Sequence, residues 1–533
     1  MSETAGLHWT GHALVDVGIA GICAAKNTAE PAAISLSDLD EASKEMEDAY
    51  YSGLMTSYLS CVFMNSSFVQ PGEKASTRQA FLDDYVRAHR RLLPDPLVAG
   101  LRCVFSGLPA TTSLVRTHLP LFSGEGVINF RPVGQSFVPA AGPFVTALLF
   151  CPLASRRTEG RMLVVHSEDA ALQVEVARTF LSDNRRILGL MRSGSHSAKA
   201  LVDPSFTRER PAWDAAKKKA KFPDAKGAKS LVISDLVELA SKADVTDLRD
   251  TALPITVLTL SSSGQGPAVD QFEVPGNLVR FLQRASVHPK AGIAWKRVLQ
   301  RFRNVSTKDG DSPADENAQK AKKGARSKAK ASPIAGRAGW SKNSACEDLF
   351  AIFEGGFVDE GVAAKWLRRY VLGRPDAYRG RVNTSVVYRA TGARSWPLAE
   401  LILKELLGMH ESRIKAIKDF SFKIADHINA HHATRLLKAF LLDGRYHIIR
   451  RSLINAQKEG AKSGEALFGL EEYARVWHAE RDEYLVRDLV SIGIIERLTE
   501  KGYFSAHPEE VLPEVADLEN SPDPTEEKEE NAE

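Results

Sequence analysis

The chain has 533 residues, 44% apolar and 26% charged, a globular composition that excludes a wholly disordered chain, a collagen-like fibre and a coiled-coil rod. At roughly 150 residues per domain, the length predicts about three to four domains. The formal net charge of +3 hides an asymmetry: Pro508–Glu533 holds eleven acids and one lysine, so residues 1–507 carry +13, and a basic body with an acidic tail points to a polyanionic partner.

In chain order, Gly11–Ala25 sets Leu14, Val15, Ile19 and Ile22 near helical spacing and predicts a short apolar helix. Acids from Asp38 to Glu47, followed by Tyr50, Tyr51 and an apolar stretch to Met64, predict more helix. Asn65–Gly72 reads as a loop closed by Pro71-Gly72, and Phe81–Leu93 as an amphipathic basic helix with Arg87, Arg90 and Arg91. From Arg102 to Arg156, glycine and proline punctuate short apolar runs, among them Phe144–Phe150. Residues 162–166 and 255–260 are the strand candidates. Residues 1–305 thus read as a mixed α and β domain. Residues 306–339 are rich in Lys, Ala, Ser and Gly with almost no large apolar side chain, and Lys320–Arg337 has seven basic residues and no acid. Such a segment cannot offset its chain entropy by burial and predicts a flexible basic linker.

From residue 340 to 504 the reading is helical. Trp396-Pro397 suits a helix start, and Leu398, Leu401, Ile402, Leu406 and Met409 form one apolar stripe that Ile417, Phe420, Ile424 and Ile428 continue. Tyr446–Ile454 and Glu471–Leu498 supply further helices, giving a bundle. Residues 505–533 read as a disordered acidic tail. The fold class expected is α+β, with a mixed N-terminal domain and an all-α C-terminal bundle.

Enzyme signatures are missing: there is no Walker A loop, no G-x-S-x-G and no H-E-x-x-H. Ser263-Gly-Gln-Gly266 is glycine-rich but lacks the lysine and following helix of a phosphate loop. His427 and His431, four apart on a predicted helix, offer two imidazoles to a metal, with no third ligand evident beyond His432. A metal-dependent nuclease or hydrolase on that face is therefore the alternative class. Basic clusters are more informative. Lys365, Arg368, Arg369, Arg374, Arg379, Arg381, Arg389 and Arg394 stand against one acid, Asp376, with Trp366, Tyr370, Tyr378, Tyr388 and Trp396 interleaved. Arg413, Lys415 and Lys418, then Arg445, Arg450 and Arg451, follow. Cations that neutralise phosphates beside rings that stack bases predict binding to single-stranded nucleic acid without sequence preference.

Trp9-Thr-Gly-His-Ala-Leu-Val-Asp-Val-Gly-Ile-Ala-Gly-Ile22 resembles the opening of the large-subunit family of type I CRISPR Cascade complexes, closest to the Cas-eight branch of subtypes I-A and I-B that is named for two Cys-x-x-Cys pairs. Asn65-Ser-Ser-Phe68, Thr259–Pro267 with Phe272–Pro275, Trp396–Leu401 with Arg413–Lys418, and Tyr446–Leu453 resemble later stretches of that family in the same order. The zinc-binding pattern departs: Ser106 stands where a cysteine is expected after Cys103, and Cys151 is alone. Two isolated thiols cannot complete a tetrahedral site. The resemblance with this departure implies a degenerate zinc-finger-like insert, no metal and no cofactor, with Phe144–Phe150 packed in its place; His118 is a stray third ligand at most.

The resemblance further implies a non-catalytic subunit of an RNA-guided DNA-binding particle, in which guide RNA reads sequence by pairing and the protein reads the short PAM duplex. Partners implied are crRNA, target double-stranded DNA, a repeated backbone subunit, a crRNA 5′-handle-binding subunit, small subunits and a recruited helicase-nuclease. Loops offering donors and acceptors to base edges are candidates for PAM contact: Lys26 and Asn27 after the first helix, and Asn65, Ser66 and Gln70 in the next loop. The displaced strand is assigned to Lys365, Arg368, Arg369, Arg374, Arg379, Arg381, Arg413, Lys415, Lys418, Arg450 and Arg451. A fold-retaining scaffold without DNA binding is a third possibility. Five cysteines without evident pairing fit a reducing compartment. With no signal peptide and no apolar run of the roughly 18–20 residues a membrane span needs, a cytoplasmic location is expected.

Overall fold

The computed structural model describes residues 4–122 except 71, 136–193, 212–214, 219–221, 227–242, 253–263, 266–301, 344–353, 358–371, 396–440, 446–462, 464, 466–477 and 483–507. The linker expected at 306–339 and the tail from Pro508 lie outside these residues. The chain divides into two compact units: Met1–Leu239 with Leu253–Gly276 and Asn304–Lys342, and Ala240–Ala252 with Asn277–Arg303 and Asn343–Glu533.

The first unit is α+β. Its helices are α1 (Ala13–Ala25), α2 (Leu36–Tyr50), α3 (Thr56–Leu59), α4 (Ala75–Phe81), α5 (Gly142–Phe150), α6 (Ala170–Arg192) and most of α7 (Ala228–Lys242). A four-stranded antiparallel sheet runs in the order β3 (Arg156–Thr158), β4 (Arg161–Ser167), β7 (Ile255–Ser263), β8 (Gly266–Val274). Two antiparallel pairs lie outside it: β1 (Thr112–Leu114) with β2 (Val138–Ala140), and β5 (Ala212–Asp214) with β6 (Lys219–Lys221).

Helix α1 is buried continuously from Val15 to Ala24 and packs against α5 and α6. Close approach is possible because two of its positions have no side chain. A Cβ at Gly18 would fall 1.8 Å from the Ala147 carbonyl oxygen, and one at Gly21 2.7 Å from the Ala154 methyl. Ahead of α1, Gly11 adopts φ +77°, so the chain folds back onto Asp16, whose carboxylate accepts the Thr10 and Gly11 amides at 2.8 Å and the Thr10 hydroxyl at 2.7 Å. The opening stretch Trp9–Ile22 is thus explained by packing and capping. Tyr50 and Tyr58 fix α2 and α3 by donating to the carbonyls of Leu149 (2.8 Å) and Pro152 (3.1 Å). At the sheet, Arg156 is 2% exposed and sits between Asp183 on α6 (2.7 Å) and Asp235 on α7 (3.1 Å), over the Phe180 ring. Buried charge of this kind is tolerated only when paired.

The strand candidates at 162–166 and 255–260 are the neighbours β4 and β7. The glycine-rich Ser263–Gly266 joins β7 to β8, with Ser263 paired to Gly266, so a strand follows it where a phosphate loop requires a helix. The basic helix expected at Phe81–Leu93 is instead α4, a wide turn over Leu82–Val86 and a single tight turn at Ala88–Arg90. Pro94 and Pro96 disfavour helix in the residues before them, and Leu92 and Leu93 end up 96% and 79% exposed.

The second unit is helical: α8 (Gly276–Val287), α9 (Pro289–Arg301), α10 (Ser344–Ala351), α11 (Glu360–Trp366), α12 (Trp396–Leu401), α13 (Glu411–His431), α14 (Thr434–Lys438), α15 (Tyr446–Lys462), α16 (Leu470–Trp477), α17 (Glu483–Glu500) and α18 (Tyr503–Ala506). Arg280 and Arg284 on α8 both grip the buried Glu405 carboxylate. A series of rings, Phe281, Trp295, Trp366 and Tyr370, forms its aromatic centre at 5.5–6.2 Å spacings. Helix α17 lies along α13, where a Cβ at Gly493 would come within 2.4 Å of the Ser421 Cβ.

Because backbone cannot retreat from an added methyl as a flexible side chain can, Gly18→Ala should destabilise the first unit by about 3 kcal/mol. Gly72→Ala, where nothing lies within 4 Å, should change stability by less than ~0.5 kcal/mol. Denaturant titration of the two variants checks this; equal midpoints would contradict the close α1–α5 approach.

Candidate nucleic-acid interface

Residues expected to read duplex DNA are engaged within the first unit. Lys26 Nζ lies 2.9 Å from Asp38 and 2.6 Å from Glu41. Asn27 ends α1 in the left-handed region at φ 57°, and its side-chain oxygen accepts from Arg178 at 2.8 Å. Asn65 donates to the Phe122 carbonyl and Gln70 to the Met64 carbonyl, each at 3.2 Å. Ser66 is fully buried and accepts from the Phe68 amide at 3.4 Å. Among the described residues, no hydrogen bond or ion pair joins Lys26 or Asn27 to the 65–70 loop. Contacts such as those of Asn65, Ser66 and Gln70 are the ordinary work of turn-forming amides and hydroxyls.

Among the described residues the cysteines join no cluster of metal-ligating side chains. Cys103 and Cys151 are buried free thiols, and burial pushes the Cys151 thiol up to about 12, away from the thiolate that zinc requires. Phe144–Phe150 forms the buried body of α5. His118 is stacked on Tyr85 with ring centroids 3.4 Å apart, both ring nitrogens are hydrogen-bonded, and burial lowers its pKa to about 3. Among the described residues no three His, Cys, Asp or Glu side chains converge as metal ligands. His427 and His431 do share a face, with rings 4.6 Å apart; burial first, then the charge of His431, lowers the His427 pKa. A polar pair that the sequence does not suggest joins His166 to Asp16 at 3.4 Å. Burial pushes the Asp16 carboxyl up, but hydrogen bonds from His166, Thr10 and Gly11 outweigh it and hold the group below its usual range.

In the second unit, three of the rings expected to stack bases, Trp366, Tyr370 and Trp396, are core, while Tyr378 and Tyr388 lie outside the described residues. Trp396 is fully buried, Trp366 and Tyr370 are 2% exposed, Trp366 donates to the Ala345 carbonyl at 2.8 Å, and Tyr370 donates to Asp348. Their spacing among cations in sequence therefore reflects helix packing and not a stacking platform. Arg374, Arg379 and Arg381 lie outside the described residues, as do the side chains of Arg368 and Arg369. Lys365 and Lys415 are exposed and Arg413 is partly buried. Lys418 lies over Trp396 and Phe422, at 5.9 and 5.7 Å from the ring centres.

Arg450 and Arg451 are exposed on α15, and there they have company that sequence reasoning passed over. His447, Arg451, Lys458 and Lys462 are all exposed and recur at four, eleven and fifteen residues from the first, within an arc of roughly 60° and a length of ~22 Å. Arg435 and Lys438 are exposed on α14, which packs against α15. Among the described residues none of these six lysines and arginines makes an ion pair, and α14 and α15 contain a single acid, Glu459. Elsewhere, Lys26, Arg87, Arg90, Arg161 and Arg185 of the first unit and Lys404, Lys423, Arg497 and Lys501 of the second face carboxylates of their own chain. Cations left without counter-charge are the ones that phosphates can neutralise. The signal was legible as a helical repeat of basic residues from His447 to Lys462.

Glu496 on α17 is 7% exposed with one carboxylate oxygen unpartnered. Burial raises its pKa from 4.5 to about 7, against Lys418 and Lys290, which lower it, while Glu500 and Glu400 add to the rise. A raised carboxyl favours the folded state fully only below its unfolded pKa, and that contribution is lost as pH climbs from 4.5 to about 7. Glu496→Gln should therefore flatten the decline of stability across this window and gain on the order of 2 kcal/mol at pH 8; chemical denaturation at pH 5 and pH 8 measures it, and an unchanged pH slope would contradict the buried carboxyl. No protein-family model, curated protein or solved structure matches the chain.

Proposed function

We propose that this chain is a non-enzymatic nucleic-acid-binding subunit, and that its particle is the type I CRISPR effector complex its ordered sequence stretches resemble. The observation that carries the binding half is the row of exposed cations on α14 and α15, unpaired among the described residues. A ~22 Å face of this kind spans about six phosphates of one strand at 3.4 Å each. It offers charge without buried base pockets, which suits a displaced single strand whose sequence is read elsewhere by pairing. In such a particle the protein performs no reaction, works in the cytoplasm with crRNA, target DNA and repeated backbone subunits, and a separate helicase-nuclease cuts. No described helix is long and apolar enough to cross a membrane. For Lys26 to contact a PAM base pair it would give up its Asp38 and Glu41 partners, whereas Asn27 is exposed and only its side-chain oxygen is engaged, by Arg178.

Replacing Arg450, Arg451, Lys458 and Lys462 together with alanine should weaken binding to a single-stranded oligonucleotide. The slope of log affinity against log salt should fall by about 2.8, at ~0.7 for each phosphate no longer neutralised. Filter binding between about 50 and 300 mM salt reads both quantities. An unaltered slope removes α15 from the interface, and failure of the native chain to co-purify with crRNA and a repeated subunit from its own cells removes the particle.

A further inference from the structure

The four-stranded sheet of the first unit has two unlike edges. At one, β3 is three residues long, and so short an edge offers little for another chain to pair with. At the other, β8 runs for nine residues, pairs with β7 along its whole length without a bulge, and contains no lysine. Val269 on it is 54% exposed. The register decides which backbone groups face outward. Ser263 and Gly266 pair across a two-residue turn, so the alternation of an antiparallel ladder makes Ala268, Asp270, Phe272 and Val274 the residues whose amides bond to β7. Ser262 agrees with this: standing opposite Pro267, it donates instead to the Cys61 carbonyl at 2.6 Å. Val269, Gln271 and Glu273 therefore turn their amides and carbonyls away from β7, and all three are exposed. Among the described residues nothing bonds these outward groups.

We infer that this edge joins two copies of the chain, β8 antiparallel to β8 about a two-fold axis at Gln271, so that the two four-stranded sheets continue as one. The prolines select a second copy and its register. Pro267 and Pro275 have no amide hydrogen to donate, and each stands four residues from Gln271. An axis at Gln271 sets that residue opposite its own copy, Val269 opposite Glu273, and the two prolines opposite each other beyond the last rung. Every outward amide then meets a carbonyl. Shifting the axis in either direction sets Pro267 or Pro275 opposite one of these three residues. Charge favours the same register. Glu273 faces Val269 of the other copy and Asp270 faces Phe272, so no like charges stand directly opposite, an arrangement that would weaken the pairing. Asp270 is moreover already met by Arg161 of its own chain. A ladder confined to Val269–Glu273 is at the small end of protein interfaces, so the dimer is reversible and concentration-dependent. The inference is independent of the reading of α14 and α15.

Cysteine coupling on the full chain reads the register, because the five native cysteines are buried. Under mild oxidation, Gln271→Cys should give a disulfide-linked dimer, since residues facing each other across such a rung lie about 5.5 Å apart at Cα. Glu273→Cys alone should couple about tenfold more slowly, its two copies being offset along the strands by ~14 Å. Val269→Cys and Glu273→Cys chains, once mixed, should couple to each other. Sedimentation velocity without oxidant reads the dimer itself. Gln271→Pro deletes an amide that bonds nothing within the chain, so the pairing with β7 is kept. Val269→Lys leaves the backbone intact and places a charge on the edge. Both should raise the concentration at which half the chain is dimeric by about tenfold or more, with thermal midpoints within about 2 °C of the native chain. A native chain that stays monomeric up to about 200 μM, Glu273→Cys coupling as fast as Gln271→Cys, or both edge variants associating as the native chain does, overturns the inference.

Discussion

A helix whose neighbours come closer than ordinary side chains allow needs positions without a Cβ at the contact. Helix α1 meets this condition at Gly18 and Gly21, where α5 and the turn after it fill the space that a Cβ would occupy. The rest of the first unit is built around that approach. Asp16 ties the preceding loop to the helix, α6 covers another side, and the sheet is joined to α6 and α7 through Arg156 and its two aspartates. The second unit repeats the device where Gly493 on α17 meets Ser421 on α13.

In the first unit several cations face carboxylates of the same chain, which fixes α2 to α6 through Arg185 and Glu45 and the α4 region to α2 through Arg87 and Glu47. Exposed pairs of this sort contribute little to stability, but they leave less uncompensated charge for a partner. In the second unit, α14 and α15 display cations with nothing opposite them among the described residues. Self-repulsion along one helix face is unfavourable to folding, so its presence is more readily understood as serving a polyanion than as serving the bundle.

Much of the fold was legible in the amino-acid sequence. The apolar period of α1, the pair of strands β4 and β7, and the stripes of α12 and α13 were each visible, because their burial is one-sided or complete and their spacing regular. Helix α6 was not singled out. Its buried face is interrupted by Gln173, Asp183 and Asn184, and the partners that make them acceptable there lie on other elements: Ser167 and Val165 for Gln173, and, farther off in sequence, Arg156 and the carbonyls of Leu153 and Ser155. The stretch Glu471–Leu498 read as one helix and is two, α16 and α17. At the candidate interface, Arg450 and Arg451 were read, but their extension along α15, legible at helical spacing, was passed over because the dense charge of residues 365–394 stands out over a sparser repeat. Trp366, Tyr370 and Trp396 looked like stacking residues because sequence proximity does not reveal which side of a helix faces inward.

If phosphates meet α14 and α15, the lysines of the first unit keep their own surroundings, Lys26 with its carboxylates and Lys44 exposed. Lysine acylation footprinting on the full chain, with and without a single-stranded oligonucleotide, decides between the two surfaces. Strong protection of Lys438, Lys458 and Lys462 is expected, with unchanged reactivity at Lys26 and Lys44. Protection centred on Lys26 with α14 and α15 unaffected, or no protection anywhere, would contradict this assignment.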